Sequence, residues 1–144
     1  MAFLISVLVL VSQVINPVWL LDFSDAQQQA KQEQKQILLN FSGSDWCGPC
    51  IRLTKDVFQS PEFEALAAKE LILVRADFPR SRKNQLSPEQ QKKNDALAER
   101  YNSKGSFPLT LLLDANGVVI KTWEGYPENK ATGFLNELRT LTNE

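Results

Sequence analysis

Ile37-Leu38-Leu39-Asn40-Phe41-Ser42-Gly43-Ser44-Asp45-Trp46-Cys47-Gly48-Pro49-Cys50 reads as a short apolar strand that passes through a polar loop into a helix beginning at a cysteine. Residues 37–41 are apolar apart from Asn40 and have the length of a buried central strand. Residues 42–45 are loop formers, and Pro49 suits the first turn of a helix, where its missing N–H would have had no partner. Gly48 is expected to permit the tight entry. A cysteine at such a helix start meets unsatisfied backbone N–H groups and the positive end of the helix dipole, and both favour the thiolate, which is the reactive form. Cys47 is therefore the candidate nucleophile. Cys50, one turn on and on the same side, is the candidate resolving thiol.

Downstream of Cys50, the residues Ile51, Leu53, Val57 and Phe58 carry a helical apolar pattern, and Pro61 starts a second helical stretch containing Phe63, Leu66 and Ala67. Residues 71–76 read as a second buried strand. Residues 78–90 are basic and polar with Pro79 and Pro88, a loop that leaves Arg80, Arg82 and Lys83 in solvent, and a helix is expected over 89–101. Residues 109–113 and 118–122 are β-rich runs joined by Asp114-Ala115-Asn116-Gly117, and Asn-Gly is a strong hairpin signal, so they should pair antiparallel. Upstream, residues 22–36 suggest a polar surface helix capped by Asp22 or Ser24 with Phe23, Ala26 and Ala30 as its apolar stripe. At the other end, Phe134, Leu135, Leu138 and Leu141 share one face of a terminal helix. Strands alternating with helices, closed by a hairpin, make an α/β architecture: a mixed central sheet with a C-terminal antiparallel hairpin and helices on both faces.

A chain of 144 residues with 43% hydrophobic content supports one compact domain. Its 16 basic and 17 acidic side chains nearly cancel, which argues against a nucleic-acid partner. With no histidine there is no Ser-His or Cys-His nucleophile pair and no ordinary near-neutral base. Two cysteines are too few for a closed zinc site, and haem attachment would need a histidine where Ile51 stands. No metal or cofactor is expected. A disulfide closing so short a loop also removes little entropy from the unfolded chain, which argues for redox chemistry over a structural role. Residues 1–15 are apolar except for Ser6, Ser12 and Gln13, and the first charge is Asp22. Residues 1–16 are accordingly expected to be an export signal or signal-anchor, and 17–144 the domain, exported to the periplasm or tethered to the membrane facing it. The stretch lacks a basic start and an A-x-A-like cleavage site, and a buried first strand of a cytoplasmic domain is the other reading.

Residues 41–50, with Trp46-Cys47-Gly48-Pro49-Cys50 at their end, followed by Gly105-Ser106-Phe107-Pro108 and Gly125, closely resemble the thioredoxin superfamily. Val57-Phe58-Gln59-Ser60-Pro61-Glu62-Phe63 further resembles exported bacterial members and the C-terminal thioredoxin-like domain of membrane thiol:disulfide interchange proteins. The resemblance spans residues 18–141 and implies a thioredoxin-like fold. It implies a monomeric thiol–disulfide oxidoreductase that exchanges electrons with cysteine-containing proteins in the reducing or isomerising direction and is recharged by an upstream protein dithiol. From its residues alone Phe107-Pro108 reads as a strand-edge break, whereas the resemblance makes Pro108 a cis-proline beside the sulfurs. The Phe107 backbone and the loop at Gly125 would then line a substrate groove with Gly48 and Pro49, and Trp46, otherwise readable as a core tryptophan, would be a platform beside the nucleophile. One position departs from the family. Where Asn40 stands, typical thioredoxins have a buried Asp that helps remove the proton of the second cysteine, and an Asn cannot. This bears on speed, not on the reaction class. A thioredoxin-fold binding module with little turnover is the alternative function.

Overall fold

The computed structural model describes residues 16–143, so the expected export segment, apart from its last residue, lies outside the described part. Five strands form one mixed sheet: β1 (Trp19–Leu20), β2 (Gln36–Ser42), β3 (Leu71–Asp77), β4 (Leu109–Leu113) and β5 (Val119–Glu124), in the order β1-β3-β2-β4-β5. β3 is parallel to β1 and β2, and β4 is antiparallel to β2 and β5. The helices are α1 (Phe23–Glu33), α2 (Gly48–Leu53), α3 (Pro61–Glu70), α4 (Pro88–Tyr101) and α5 (Lys130–Asn143). The expected α/β sheet with its closing hairpin is present, and the fold is thioredoxin-like.

Period-two alternation on β2 sorts the two cores. Leu38 faces a cluster with Leu53, Val57, Phe58, Phe63 and Phe134, so α2, α3 and α5 cover that face. Ile37, Leu39 and Phe41 face the opposite cluster, with Ala26, Ala30 and Leu97 from α1 and α4. Local chemistry starts the helices: Asp22 Oδ1 accepts from Asp25 N–H at 3.0 Å, and Ser60 and Ser87, each followed by proline, cap α3 and α4 by accepting from Phe63 and Gln90. The hairpin turn is closed by Asp114 Oδ1, which accepts from the N–H groups of Asn116 and Val118, and Gly117 takes a φ of 83° that a side chain would resist.

Three local expectations are corrected. β1 was not anticipated as a strand; Trp19 and Leu20 pair with Leu73 and Val74 at the sheet edge. The helix after Cys50 is interrupted, because α2 runs six residues and Thr54–Phe58 continues it as a π-turn, so Val57 and Phe58 are both buried while Ile51 is turned out at 49% exposure. Gly48 has no positive φ and open space where a Cβ would stand, so the tight entry does not depend on it.

Candidate active site

The end of β2 and the start of α2 set Cys47 and Cys50 against each other, and they form a disulfide with their Cα atoms 5.2 Å apart. Cys47 is the N-cap of α2; its Sγ accepts from the Cys50 N–H at 3.3 Å, and its own N–H donates to the Gly43 carbonyl at 2.9 Å. The cysteines are 4% and 2% exposed, whereas Gly48 and Pro49 lie at the surface. A sulfur receiving a backbone N–H at a helix start is placed where negative charge is stabilised.

The loop ahead of Cys47 is anchored by its own acids and by the segment after β3. Ser44 donates from its N–H to Asp77 Oδ1 at 2.9 Å, and Asp45 accepts from the N–H groups of Arg80 and Ser81 and from Asn84 Nδ2. The Arg80 backbone bond, then the Asn84 amide, hold the Asp45 carboxyl below its ordinary value. Trp46 is half-buried, donates Nε1–H to the Phe78 carbonyl at 2.7 Å, and carries the Arg80 guanidinium 3.7 Å above its ring centroid. The basic stretch expected to stay in solvent therefore begins by packing on the site, with Phe78 also edge-on to Phe107.

Phe107 meets Trp46 edge-on at 5.5 Å, which brings the loop before β4 alongside the cysteine loop. The Phe107–Pro108 bond is cis, Pro108 is buried, and its carbonyl accepts from Gly125 N–H at 2.8 Å, with Gly125 at a φ of 70°. Asn102 shapes this loop from within, accepting from Ser106 N–H and donating to the Ser106 carbonyl. Next to Gly125, Tyr126 donates its hydroxyl to Asp56 at 2.9 Å and lies under Arg52, tying that wall to α2 and its π-turn. The Asp56 hydrogen bond is the main reason the Tyr126 hydroxyl is pushed up from its ordinary value. Asn102, Tyr126 and Asp45 were not singled out from the sequence. An Asn-x-x-Gly turn at 102–105 is the one local signal that could have found any of them.

Asn40 lies on the α2 side of β2, 1% exposed, and donates to Thr110 Oγ1 at 3.0 Å. On its other side, in register on β3, is Arg75. The guanidinium lies 4.2 Å over the Trp19 ring and 5.6 Å from that of Phe58. Arg75, Cys50, Ser42, Thr54 and Lys55 are among the residues lining a cleft of about 270 Å³ behind the disulfide. Among the described residues, no group of three or more His, Cys, Asp or Glu side chains could hold a metal ion.

A family model described as thioredoxin-like matches residues 18–115. The disulfide bond reductase DsbH of Chlamydia pneumoniae is 40% identical over 95 residues, covering 66% of this chain and 55% of that protein. The thioredoxin-related protein DsbJ of the same organism is 34% identical over 96 residues, covering 67% of this chain and 27% of that one. The chain thus spans about half of one curated relative and about a quarter of the other. A solved DsbH oxidoreductase superposes with a TM-score of 0.77 at 31% identity, covering 88% of this chain and 84% of its own.

Proposed function

This chain belongs to the thioredoxin-like family, and from that membership we propose that it is a thiol–disulfide oxidoreductase reducing disulfides of cysteine-containing proteins. The observation that carries the reading is the Cys47–Cys50 disulfide at the start of α2, with Cys47 Sγ accepting a backbone N–H. In the reduced protein the Cys47 thiolate attacks one sulfur of a substrate disulfide; that S–S bond breaks, one substrate thiolate leaves, and Cys47 is held in a mixed disulfide. Cys50 loses its proton and attacks Cys47. The Cys47–Cys50 bond forms, the second substrate thiolate leaves, and two electrons have passed from protein to substrate. A protein dithiol acting upstream returns them.

Trp46, Phe107, Pro108 and Gly125, with Gly48 and Pro49 at the rim, form the groove that receives the substrate's cysteine segment in this reading. The contact of Trp46 with Phe107 and the bond from Gly125 N–H to the Pro108 carbonyl support it. The reducing direction agrees with the name carried by the Chlamydia pneumoniae relative. Residues 1–16 act as an export signal or anchor, and residues 17–144 work as a monomer on the periplasmic side. No helix among the described residues is long and apolar enough to cross a membrane.

The test is trapping with a protein disulfide. Cys50→Ser should accumulate mixed disulfides through Cys47, because attack succeeds and release does not, while Cys47→Ser should trap almost none. Equal trapping by both variants would overturn the assignment of roles. A wild-type protein that binds such partners without exchanging disulfides would be a binding module instead.

A further inference from the structure

The second exchange step asks a buried thiol, Cys50, to lose its proton, and the sheet beneath it offers no carboxylate for the purpose. Asn40, the polar residue of β2 on that face, is neutral and already committed to Thr110. The residue beside it is a cation. Arg75 interrupts the apolar run of β3, and its Nε and Nη2 are buried with no hydrogen-bond partner among the described residues. Burying unpaired donors costs free energy, and what the charge touches are the Trp19 and Phe58 rings.

The surroundings are strongly biased in sign. Among the described residues, the charged ones lining the cleft with Cys50 are Arg75 from β3 and Lys55 from the π-turn, and no carboxylate lines it. Of the nearby acids, Asp77, at the end of β3, accepts from Ser44 at the cleft and is the one that acts on the Arg75 charge, whereas Asp45 accepts from the 80–84 segment and Asp56 from Tyr126. Arg52, on the same helix as Cys50, lies over Tyr126. Burial pulls the Arg75 guanidinium below its ordinary value and Asp77 pulls it back up, but arginine keeps its charge throughout the working range.

We propose that Arg75 activates Cys50 for the second exchange step, stabilising its thiolate across the cleft so that the proton leaves to solvent and not to a carboxylate on the sheet. Arg75 is a positioning residue in this scheme, acting through the charge it sets around Cys50. The two sulfurs are thereby prepared by different means: Cys47 by the backbone N–H of the helix start, Cys50 by a side-chain cation that lines the same cleft. The atoms balance as in the exchange above. Cys50 gives its proton to solvent base, the new S–S bond forms at Cys47, and the departing substrate thiolate is protonated from solvent.

The inference rests on the oxidoreductase reading, and the experiment separates the two. In a Cys47→Ser background the only thiol is Cys50, and its titration is followed by thiolate absorbance with Arg75 intact, as Arg75→Lys and as Arg75→Met. Removing the charge should raise the Cys50 pKa by about one unit or more, the scale on which a neighbouring opposite charge acts. Arg75→Lys should keep most of the effect. With both cysteines present, Arg75→Met should move the pH profile of protein-disulfide reduction upward by the same amount, a loss of roughly tenfold at neutral pH. An unmoved Cys50 titration and a superimposable pH profile in Arg75→Met would overturn the inference. Trapping by Cys50→Ser is run alongside: normal trapping with an unmoved titration rejects the role of Arg75 alone, whereas no trapping rejects the oxidoreductase reading itself. Should Arg75→Met not fold, Arg75→Gln keeps a polar end without the charge and should also raise the Cys50 pKa. An unchanged or lowered value there would likewise overturn the proposal.

Discussion

Trp46 donates its indole N–H to the carbonyl of Phe78 at 2.7 Å, joining the residue before Cys47 to a segment that begins 32 positions later. Trp46→Phe keeps the ring contact with Phe107 and loses that bond, so it should cost about 0.5–1.5 kcal/mol. Gly43→Ala tests the same seat from below, because a Cβ there would overlap the indole. Its expected cost is about 1–3 kcal/mol, the range for overpacking, with a several-fold slower reduction of a protein disulfide. Denaturant melts and turnover of the two variants check both, and a silent Gly43→Ala would mean that the indole has room to move.

Thr110→Val leaves the Asn40 amide buried without its acceptor. The expected loss is about 1–3 kcal/mol. Thr110→Ser keeps the hydroxyl and should cost less than Thr110→Val, although valine matches threonine better in shape. The ordering of the two melts is the measurement; valine as the milder change would show that the Asn40–Thr110 bond contributes little.

Asp22 caps α1 and pairs with Lys93 at 2.7 Å, and the Lys93 bond first, then the Asp25 N–H, hold its carboxyl below the ordinary value. A depressed folded-state pKa contributes stability that is complete above the unfolded value and lost as the pH falls through the folded one. The wild type should therefore lose stability on acidification through that window more steeply than Asp22→Asn. Because the pair faces solvent, the difference should be a few tenths of a kcal/mol. Asp22→Ala removes the cap as well and should cost about 1 kcal/mol at neutral pH. Thermal melts between pH 2 and 7 are the check, and parallel curves for wild type and Asp22→Asn would remove Asp22 from the acid response.

The elements legible in the sequence are those whose cause is local. Pro61 and Asp22 announce helix starts because a capping oxygen and the N–H it accepts are three residues apart, and Ser87-Pro88 repeats the Ser-Pro pattern of Ser60-Pro61 although Pro88 read as part of the preceding loop. The Asn-Gly turn and the Cys-Gly-Pro-Cys segment are equally self-contained. β1 was missed because two residues cannot display an alternation, and the turned-out Ile51 because a π-turn changes the phase that a regular helix would carry. The docking of the 78–84 segment was invisible for another reason: Asp45 and Ser81 meet across 36 positions, and nothing in either neighbourhood encodes the other. Arg75 lies between these cases. A lone charge within an apolar strand was readable as an anomaly, but its placement behind Cys50 depends on sheet register.

β2 has hydrogen-bonded neighbours along both edges, β3 on one side and β4 on the other, whereas β5 borders the sheet with Val119 and Ile120 exposed. Amide protons of residues 37–41 are directed in turn at β3 and β4, both themselves interior strands, so their exchange should report openings close to the global unfolding free energy. Those of β5 and of the loop at 103–106 should exchange through much smaller fluctuations. The strand leading into Cys47 is then among the slowest parts of the molecule to open, while the loop that leads into the cis Phe107–Pro108 bond is among the quickest.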